Sequence, residues 1–260
     1  MEKYDIILQA NKLTVKISTL QDWSKFMITA RLQAIMDMVD TSSVADIGTD
    51  HAYIPIKLAQ ENRINKAVAS DKNNGPIEIA RGNVKKYGLE KIIELRCADG
   101  LSAIEAGETD TIIIAGMGGN LIGDILERDL NKVKKSKLIL QPMNAQYELR
   151  KRLLQMGFKI IRENLAKEGF KIYNIIMAEE GFDDRKKEEA EFHIPHELLE
   201  HKLAGALIEK KKREFTKIYL GLKNSQEKNQ EDERIINYCE YMLLKIGDME
   251  KIYKENNGNK

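Results

Sequence analysis

Residues 44–55 read V-A-D-I-G-T-D-H-A-Y-I-P. An apolar run ends in two acids, Asp46 and Asp50, set around Gly48, with His51 beside them. Core packing does not ask for this arrangement, because a buried carboxylate is costly unless something pairs with it. The pattern recurs along the chain. Asp71, Asn73 and Asn74 follow the run K-A-V-A-S, and Asp99 and Gly100 follow I-I-E-L-R-C-A. Ala115, Gly116, Met117, Gly118 and Gly119 follow T-I-I-I, and Gln141, Pro142 and Asn144 end L-I-L-Q-P-M-N. Asp46 and Asp50 suit a ligand carrying a positive charge, such as an ammonium. Asp71, 23 residues after Gly48, suits a carboxylate that accepts both hydroxyls of a ribose. Asp99 suits an acceptor for an adenine amino group. A dinucleotide would need a glycine-rich phosphate cradle at a helix N-terminus. The loop here is G-T-D-H-A-Y, with one glycine and an acid that would repel a pyrophosphate. NAD is therefore disfavoured, and no P-loop is present. A ribose, an adenine, a positive charge and no phosphate describe S-adenosylmethionine, the expected cofactor.

These residues need elements that carry them to one place. From 27 to about 180 short apolar runs alternate with amphipathic helical patterns, beginning with M-I-T-A-R-L-Q-A-I-M-D-M-V at 27–39. Nearly continuous apolar strands imply a parallel sheet covered on both faces. The expected fold is α/β, a doubly wound, mostly parallel, seven-stranded Rossmann-like sheet that binds its ligand at the carboxyl ends of the strands. The last two strands, F-K-I-I-R-E-N-L and F-K-I-Y-N-I-I-M-A-E-E, have no helix between them and read as an antiparallel hairpin at one edge. Beyond 190 the spacing changes to steps of 3 and 4, through Ala204, Ile208, Lys211, Phe215, Ile218 and Leu222 and again through Ile235, Cys239, Met242, Ile246, Met249 and Tyr253. This predicts an antiparallel coiled-coil helical hairpin with Lys211 as a weak point on its seam. The expected domains are an extension at 1–26, the ligand-binding domain at 27–185, the helical hairpin at 190–255 and a disordered tail at 256–260. Met27, where the patterned sequence begins, reads as an alternative start.

The chain has 260 residues, 32% of them charged, and a net charge of +1. Its two cysteines, Cys97 and Cys239, read as thiols of a reduced compartment. No signal peptide and no run of about 20 apolar residues is visible, so a cytoplasmic protein with no membrane partner is expected. His193, His196 and His201 lie on a charged stretch and read as solvated, so no metal is expected. Basic clusters at Lys132, Lys134, Lys135 and Lys137, at Arg150, Lys151 and Arg152, and from Lys210 to Arg213 are candidate phosphate contacts for a nucleic acid.

The segments A-D-I-G-T-D-H-A-Y-I-P-I-K-L-A, D-K-N-N-G-P-I-E-I-A-R-G-N, C-A-D-G-L, I-I-I-A-G-M-G-G and L-I-L-Q-P-M resemble the family of bacterial tRNA adenine-22 N1-methyltransferases. The resemblance covers roughly 28–180 and extends to the helical hairpin. It implies a class I, S-adenosylmethionine-dependent enzyme that methylates N1 of one tRNA adenine, with tRNA as partner. Carried over position by position, Arg31, Asp46, Gly48, His51, Asp71, Asn73, Asp99, Gly100, Ala115, Gly116 and Met117 would line the cofactor. Asp50, Gln141 and Pro142 would lie on the methyl-transfer side. Thr29 stands where the family has serine, and Met143 stands where it has asparagine, which moves that residue type to Asn144. N1 of adenine already carries a lone pair, so positioning dominates catalysis. Asp50 is the candidate to stabilise the cationic product, and Tyr53, Tyr147 and Tyr173 are each available to stack on the base. The rivals are a methyltransferase for a small molecule or protein, a non-catalytic RNA-binding scaffold on the same fold and, third, an NAD dehydrogenase.

Overall fold

The computed structural model describes residues 28–184, 187–225 and 227–257. The extension assigned to 1–26, Met27 and the end of the chain from 258 lie outside the described residues. Among the described residues seven strands form one sheet in the order β3-β2-β1-β4-β5-β7-β6. They are β1 (Ser43–Ile47), β2 (Lys66–Asp71), β3 (Ile93–Cys97), β4 (Thr111–Met117), β5 (Lys137–Pro142), β6 (Phe158–Glu168) and β7 (Lys171–Glu180). The first five run parallel. Only β7 is reversed, pairing antiparallel with both β5 and β6, as the missing helix between the last two runs predicts. The strand order turns back between β1 and β4, which opens a crevice at their carboxyl ends.

Among the described residues six α-helices accompany the sheet: α1 (Ala30–Met36), α2 (Tyr53–Gln60), α3 (Asn74–Lys86), α4 (Gly119–Arg128), α5 (Leu130–Val133) and α6 (Gln146–Gln155). Alternation along the strands sorts the core into two layers. Val44, Ile113 and Ile139 pack with Ile35, Ile56 and Val84 on the side of α1, α2 and α3. Ala45, Ile47, Ile112, Ile114 and Leu140 pack with Ile122, Leu126 and Leu149 on the side of α4 and α6. The same alternation places Asp46, Ala115 and Gln141 on the α1 side, two residues beyond Val44, Ile113 and Ile139. A polar site at the carboxyl ends thus follows from the strand pattern itself.

Two glycines are required by the backbone. Gly48 leaves β1 with φ +78, a conformation that costs a side-chain-bearing residue about 1 kcal/mol or more, while its N–H and that of Thr49 both donate to the Ser70 carbonyl at 2.7 Å. At Gly119 a Cβ would lie 2.4 Å from the Ala145 carbonyl oxygen, so the start of α4 approaches the β5–α6 loop as closely as only glycine allows.

The C-terminal hairpin consists of α7 (Ala204–Lys223) and α8 (Gln230–Asn257). Its seam buries Leu207, Ile208, Phe215, Cys239, Met242, Ile246 and Met249, together with Leu165 and Ile172 from β6 and β7 and Ala190, Ile194, Leu198 and Leu199 from the connecting stretch. Ile218, expected on the seam, is 47% exposed. The seam is a core shared with the edge strands and the connector. Lys211 is buried where the heptad predicts and its ammonium meets Glu214 at 2.9 Å. Helix α8 continues through Asn257, into the stretch assigned to the tail. Both cysteines are free thiols, Cys97 exposed and Cys239 buried.

Candidate functional site

Two cavities open at the carboxyl ends of β1, β2 and β4, and Gly48 lines both. The first, of about 420 Å³, is lined by Arg31, Asp46, Asp50, His51, Tyr53 and Gly116 among others. Asp46 is 6% exposed. Its Oδ2 accepts from the Thr49 hydroxyl at 2.6 Å, and that hydroxyl oxygen in turn accepts from the Ala52 N–H at 3.1 Å. Burial pushes the Asp46 carboxyl up to about 6 against the lowering effect of the Thr49 hydrogen bond. A buried acid in that state gains most from a ligand cation placed beside it. Arg31 supplies the opposite charge: its Nη1 donates to Gln141 Oε1 at 2.8 Å and its guanidinium lies 5.8 Å from the Tyr173 ring centre. The Arg31 backbone N–H donates to Glu168 Oε1 at 2.8 Å. Among the described residues no carboxylate pairs with the guanidinium itself, which leaves it able to take a ligand carboxylate. Asp50 is exposed at the cavity mouth, 3.3 Å from His51 Nε2, and the His51 ring stacks on Tyr53 with centroids 4.9 Å apart.

The second cavity, of about 390 Å³, is lined by Asp71, Asp99, Gly100, Met117, Ile125 and Arg128 among others. Asp71 Oδ1 accepts from the Asn73 backbone N–H at 2.7 Å and from Asn73 Nδ2 at 3.1 Å, which fixes the carboxylate at the end of β2. Asn73 lines neither cavity; it acts on the site through Asp71. Asp99 Oδ2 accepts from Arg128 Nη1 at 2.9 Å, and Arg128 Nη2 reaches the Asp99 carbonyl at 3.2 Å. The Met117 side chain lies across Gly48 where the cavities meet: a Cβ at Gly48 would be 2.1 Å from its Cε.

The other expected residues divide. Ala115 lines the first cavity with Gly116. Gln141 and Pro142, expected on the methyl-transfer side, are buried and line neither cavity. Gln141 is committed on both ends of its amide, accepting from Arg31 and donating to the Pro142 carbonyl at 3.1 Å and to Met143 Sδ at 3.6 Å. Of the three tyrosines only Tyr53 lines the first cavity; Tyr173 is buried beneath Arg31 and Tyr147 stacks on His193 elsewhere. The basic cluster at Arg150, Lys151 and Arg152 is not an open phosphate surface. Arg150 is 1% exposed and bound to Glu163 and Asn174, Lys151 pairs with Glu189, and Arg152 pairs with Asp124 and Glu127. In the first cluster Lys137 pairs with Asp40 and Lys132 donates to the Leu101 carbonyl. No group of histidine, cysteine and carboxylate side chains fit to hold a metal occurs among the described residues.

Sequence reasoning passed over Thr49 and Arg128. The spacing of Thr49, three residues after Asp46 and three before Ala52 at a tight turn, was the available signal. Nothing local in the sequence ties Arg128 to Asp99, 29 residues away.

A family model described as "Methyltransferase domain" matches residues 28–176. The chain belongs to the methyltransferase-domain family. Within it, the tRNA (adenine(22)-N(1))-methyltransferase of Bacillus subtilis (strain 168) is 38% identical over 142 residues, 54% of this chain and 60% of that relative. The chain thus spans about 60% of the length of that curated relative. The crystal structure of the B. subtilis m1A22 tRNA methyltransferase TrmK covers 86% of this chain and 99% of its own, with a TM-score of 0.78 and 28% identity. M. capricolum TrmK, solved with S-adenosyl-homocysteine, covers 86% and 99% with a TM-score of 0.74 and 28% identity. At that coverage the likeness cannot be confined to the methyltransferase domain at 28–176; it takes in hairpin residues as well.

Proposed function

We propose that this chain is an S-adenosylmethionine-dependent tRNA methyltransferase acting on N1 of an adenine, at position 22 as in the B. subtilis relative. The observation that carries the reading is the double cavity hinged on Gly48. One lobe offers a buried carboxylate and an arginine whose guanidinium no carboxylate pairs among the described residues; the other offers two carboxylates. An amino acid end and a nucleoside end are the two chemistries those lobes complement, and the residues present fit the cofactor. Asp46 would hold its ammonium, Arg31 its carboxylate, Asp71 its ribose hydroxyls and Asp99 its adenine amino group. Bound there, the cofactor supplies an electrophilic methyl group on a sulfonium.

The chain's own part is positioning. N1 of neutral adenine presents a lone pair and needs no base before attack, so the barrier falls chiefly through alignment of the base against the cofactor lobe. Tyr53 lines that lobe beside His51 and is the ring to stack on the extruded base. The product base is cationic. Asp50, exposed at the mouth, would stabilise that charge and accept the N6 proton. His51 Nε2 lies 3.3 Å from the Asp50 carboxylate at the rim. Gln141 is a positioning residue: it keeps Arg31 aimed into the lobe. The partner is tRNA, and among the described residues no helix is long and apolar enough to cross a membrane.

The test is incubation with S-adenosylmethionine and unmodified tRNA, then nucleoside mass spectrometry. The expected product is 1-methyladenosine, lost with Asp71→Ala, and with Asp50→Ala reduced in rate while cofactor affinity is kept. Cofactor binding without any methylated nucleoside would transfer the reading to a small-molecule or protein substrate.

A further inference from the structure

A third cleft, of about 380 Å³, lies between the first turn of α6 and the hairpin helix α7. It begins at Met143 and Asn144, just past the end of β5. The Met143 N–H donates to the Met117 carbonyl at 2.8 Å, and the Gly119 N–H donates to the Asn144 carbonyl at 3.1 Å. The cleft therefore shares a backbone wall with the rim of the cofactor lobes. Its far wall carries Lys210 and Lys211. Neighbouring lysines are committed: Lys211 to Glu214 at 2.9 Å and Lys212 to Glu250 at 2.8 Å. Lys210 forms no hydrogen bond or ion pair among the described residues. It is half-buried, and burial together with the Lys211 charge lowers its proton affinity, with Glu214 opposing. An ammonium in that position is stabilised by an anion that enters the cleft.

The remaining walls narrow the choice of anion. His193 stacks on Tyr147 at 4.3 Å, and burial pushes its pKa down to about 4, so it brings no positive charge at neutral pH. Glu214 already serves Lys211, and Glu148, exposed on the α6 side, repels an anion there and confines it to the Lys210 side. Asn144 and Glu148 line the same space and bring polar groups that can meet the edge of a base. One positive charge beside hydrogen-bonding groups, in a space of nucleotide size, matches a nucleotide better than a bare anion or an acidic peptide.

Building on the tRNA reading above, we propose that this cleft holds a nucleotide flanking the target adenosine, with its phosphodiester on Lys210. The hairpin then acts in catalysis as the wall that sets the register of the RNA at the cofactor lobe. The test compares Lys210→Gln with Lys212→Gln, which remove the same charge from the same helix, and with Lys210→Arg, which keeps it. Cofactor Kd, KM for tRNA and the dependence of tRNA binding on salt are measured for each. Lys210→Gln is expected to raise KM about tenfold and to lower the log–log salt slope by about one. It should leave cofactor Kd unchanged. Lys212→Gln should stay within about twofold and Lys210→Arg should bind as wild type. Equal effects of Lys210→Gln and Lys212→Gln, or no effect of either in an enzyme that methylates tRNA, would overturn the cleft while leaving the function intact. A wild-type protein that binds the cofactor but neither binds nor methylates tRNA would overturn both.

Discussion

The two lobes that meet at Gly48 hold their acids in opposite ways. Asp46 is buried, hydrogen-bonded to Thr49, and ionised against the cost of its surroundings. Asp99 is exposed and shares its charge with Arg128 across the cavity. Water solvates Asp99 whether or not a ligand is present, so its contribution to binding is screened. The Thr49 hydroxyl offsets only part of the cost of ionising Asp46, and a bound cation would offset the rest. The difference teaches where affinity should reside: the lobe that is poorly satisfied when empty is the one that gains most when filled, and the exposed lobe chooses the base more than it holds it.

The sharpest way to break that contrast is Asp46→Asn. A shift from 3.8 to about 6 corresponds to about 3 kcal/mol against ionisation at neutral pH. An acid whose pKa is higher folded than unfolded binds its proton more tightly in the folded state. Asp46 therefore removes stability as pH rises from about 4 through about 6, and the whole cost is present above that window. A carboxamide in its place keeps the Thr49 hydrogen bond without the charge. At pH 7.5 the variant is expected to melt higher than wild type by several degrees and to bind S-adenosylmethionine at least about 100-fold more weakly, read by thermal melting and calorimetry. In wild type, cofactor affinity should fall below pH about 6 by up to about tenfold per pH unit as the carboxylate takes its proton. Unchanged affinity in the variant would remove Asp46 from the site.

Gln141 tests the same lobe from behind. Its amide is buried and holds Arg31 at 2.8 Å. Gln141→Ala is expected to raise KM for S-adenosylmethionine about tenfold, with KM for tRNA little changed, because Arg31 loses its aim while the target base loses no contact. If the loss fell on kcat and on KM for tRNA with cofactor affinity intact, Gln141 would act on the methyl-transfer side, where the family resemblance places it.

The same buried-against-exposed contrast explains what could be read from the chain. The strands are apolar runs with small or polar residues at their carboxyl ends, so their parallel order and the places of Asp46, Asp71, Asp99 and Gly116 follow from periodicity 2 and from the crevice rule of open sheets. Residues that act within one turn of each other, such as Asp71 and Asn73, were also within reach. What the chain conceals are contacts between distant segments. Gln141 sits at a motif position that suggests substrate, yet its partner is Arg31, 110 residues away. Arg150 looks like part of a basic surface, yet Glu163 and Asn174 draw it into the interior. Charge runs state how many cations exist and not which are already paired, so only side-chain placement separated Lys210 from Lys211 and Lys212.

The exposed Asp99 end of the second lobe, unlike the half-buried Asp71, should give the smallest effects, and Arg128 sets their scale. Its guanidinium holds Asp99 where an adenine amino group would be accepted, and a Cβ at Gly100 would lie 2.6 Å from its Nη2. The incoming base must share Asp99 with it or displace it. Both side chains of the pair are half-exposed or more, so solvent screens the pair and it contributes little. Arg128→Gln is therefore expected to change S-adenosylmethionine affinity by less than about fivefold, and to flatten what salt dependence that affinity has. Asp99→Asn, which keeps one acceptor but loses the charge, should cost no more than about tenfold. Calorimetry at two ionic strengths reads both. A loss as large for Arg128→Gln as for Asp46→Asn would mean that the guanidinium touches the cofactor itself, and that the second lobe binds as strongly as the first.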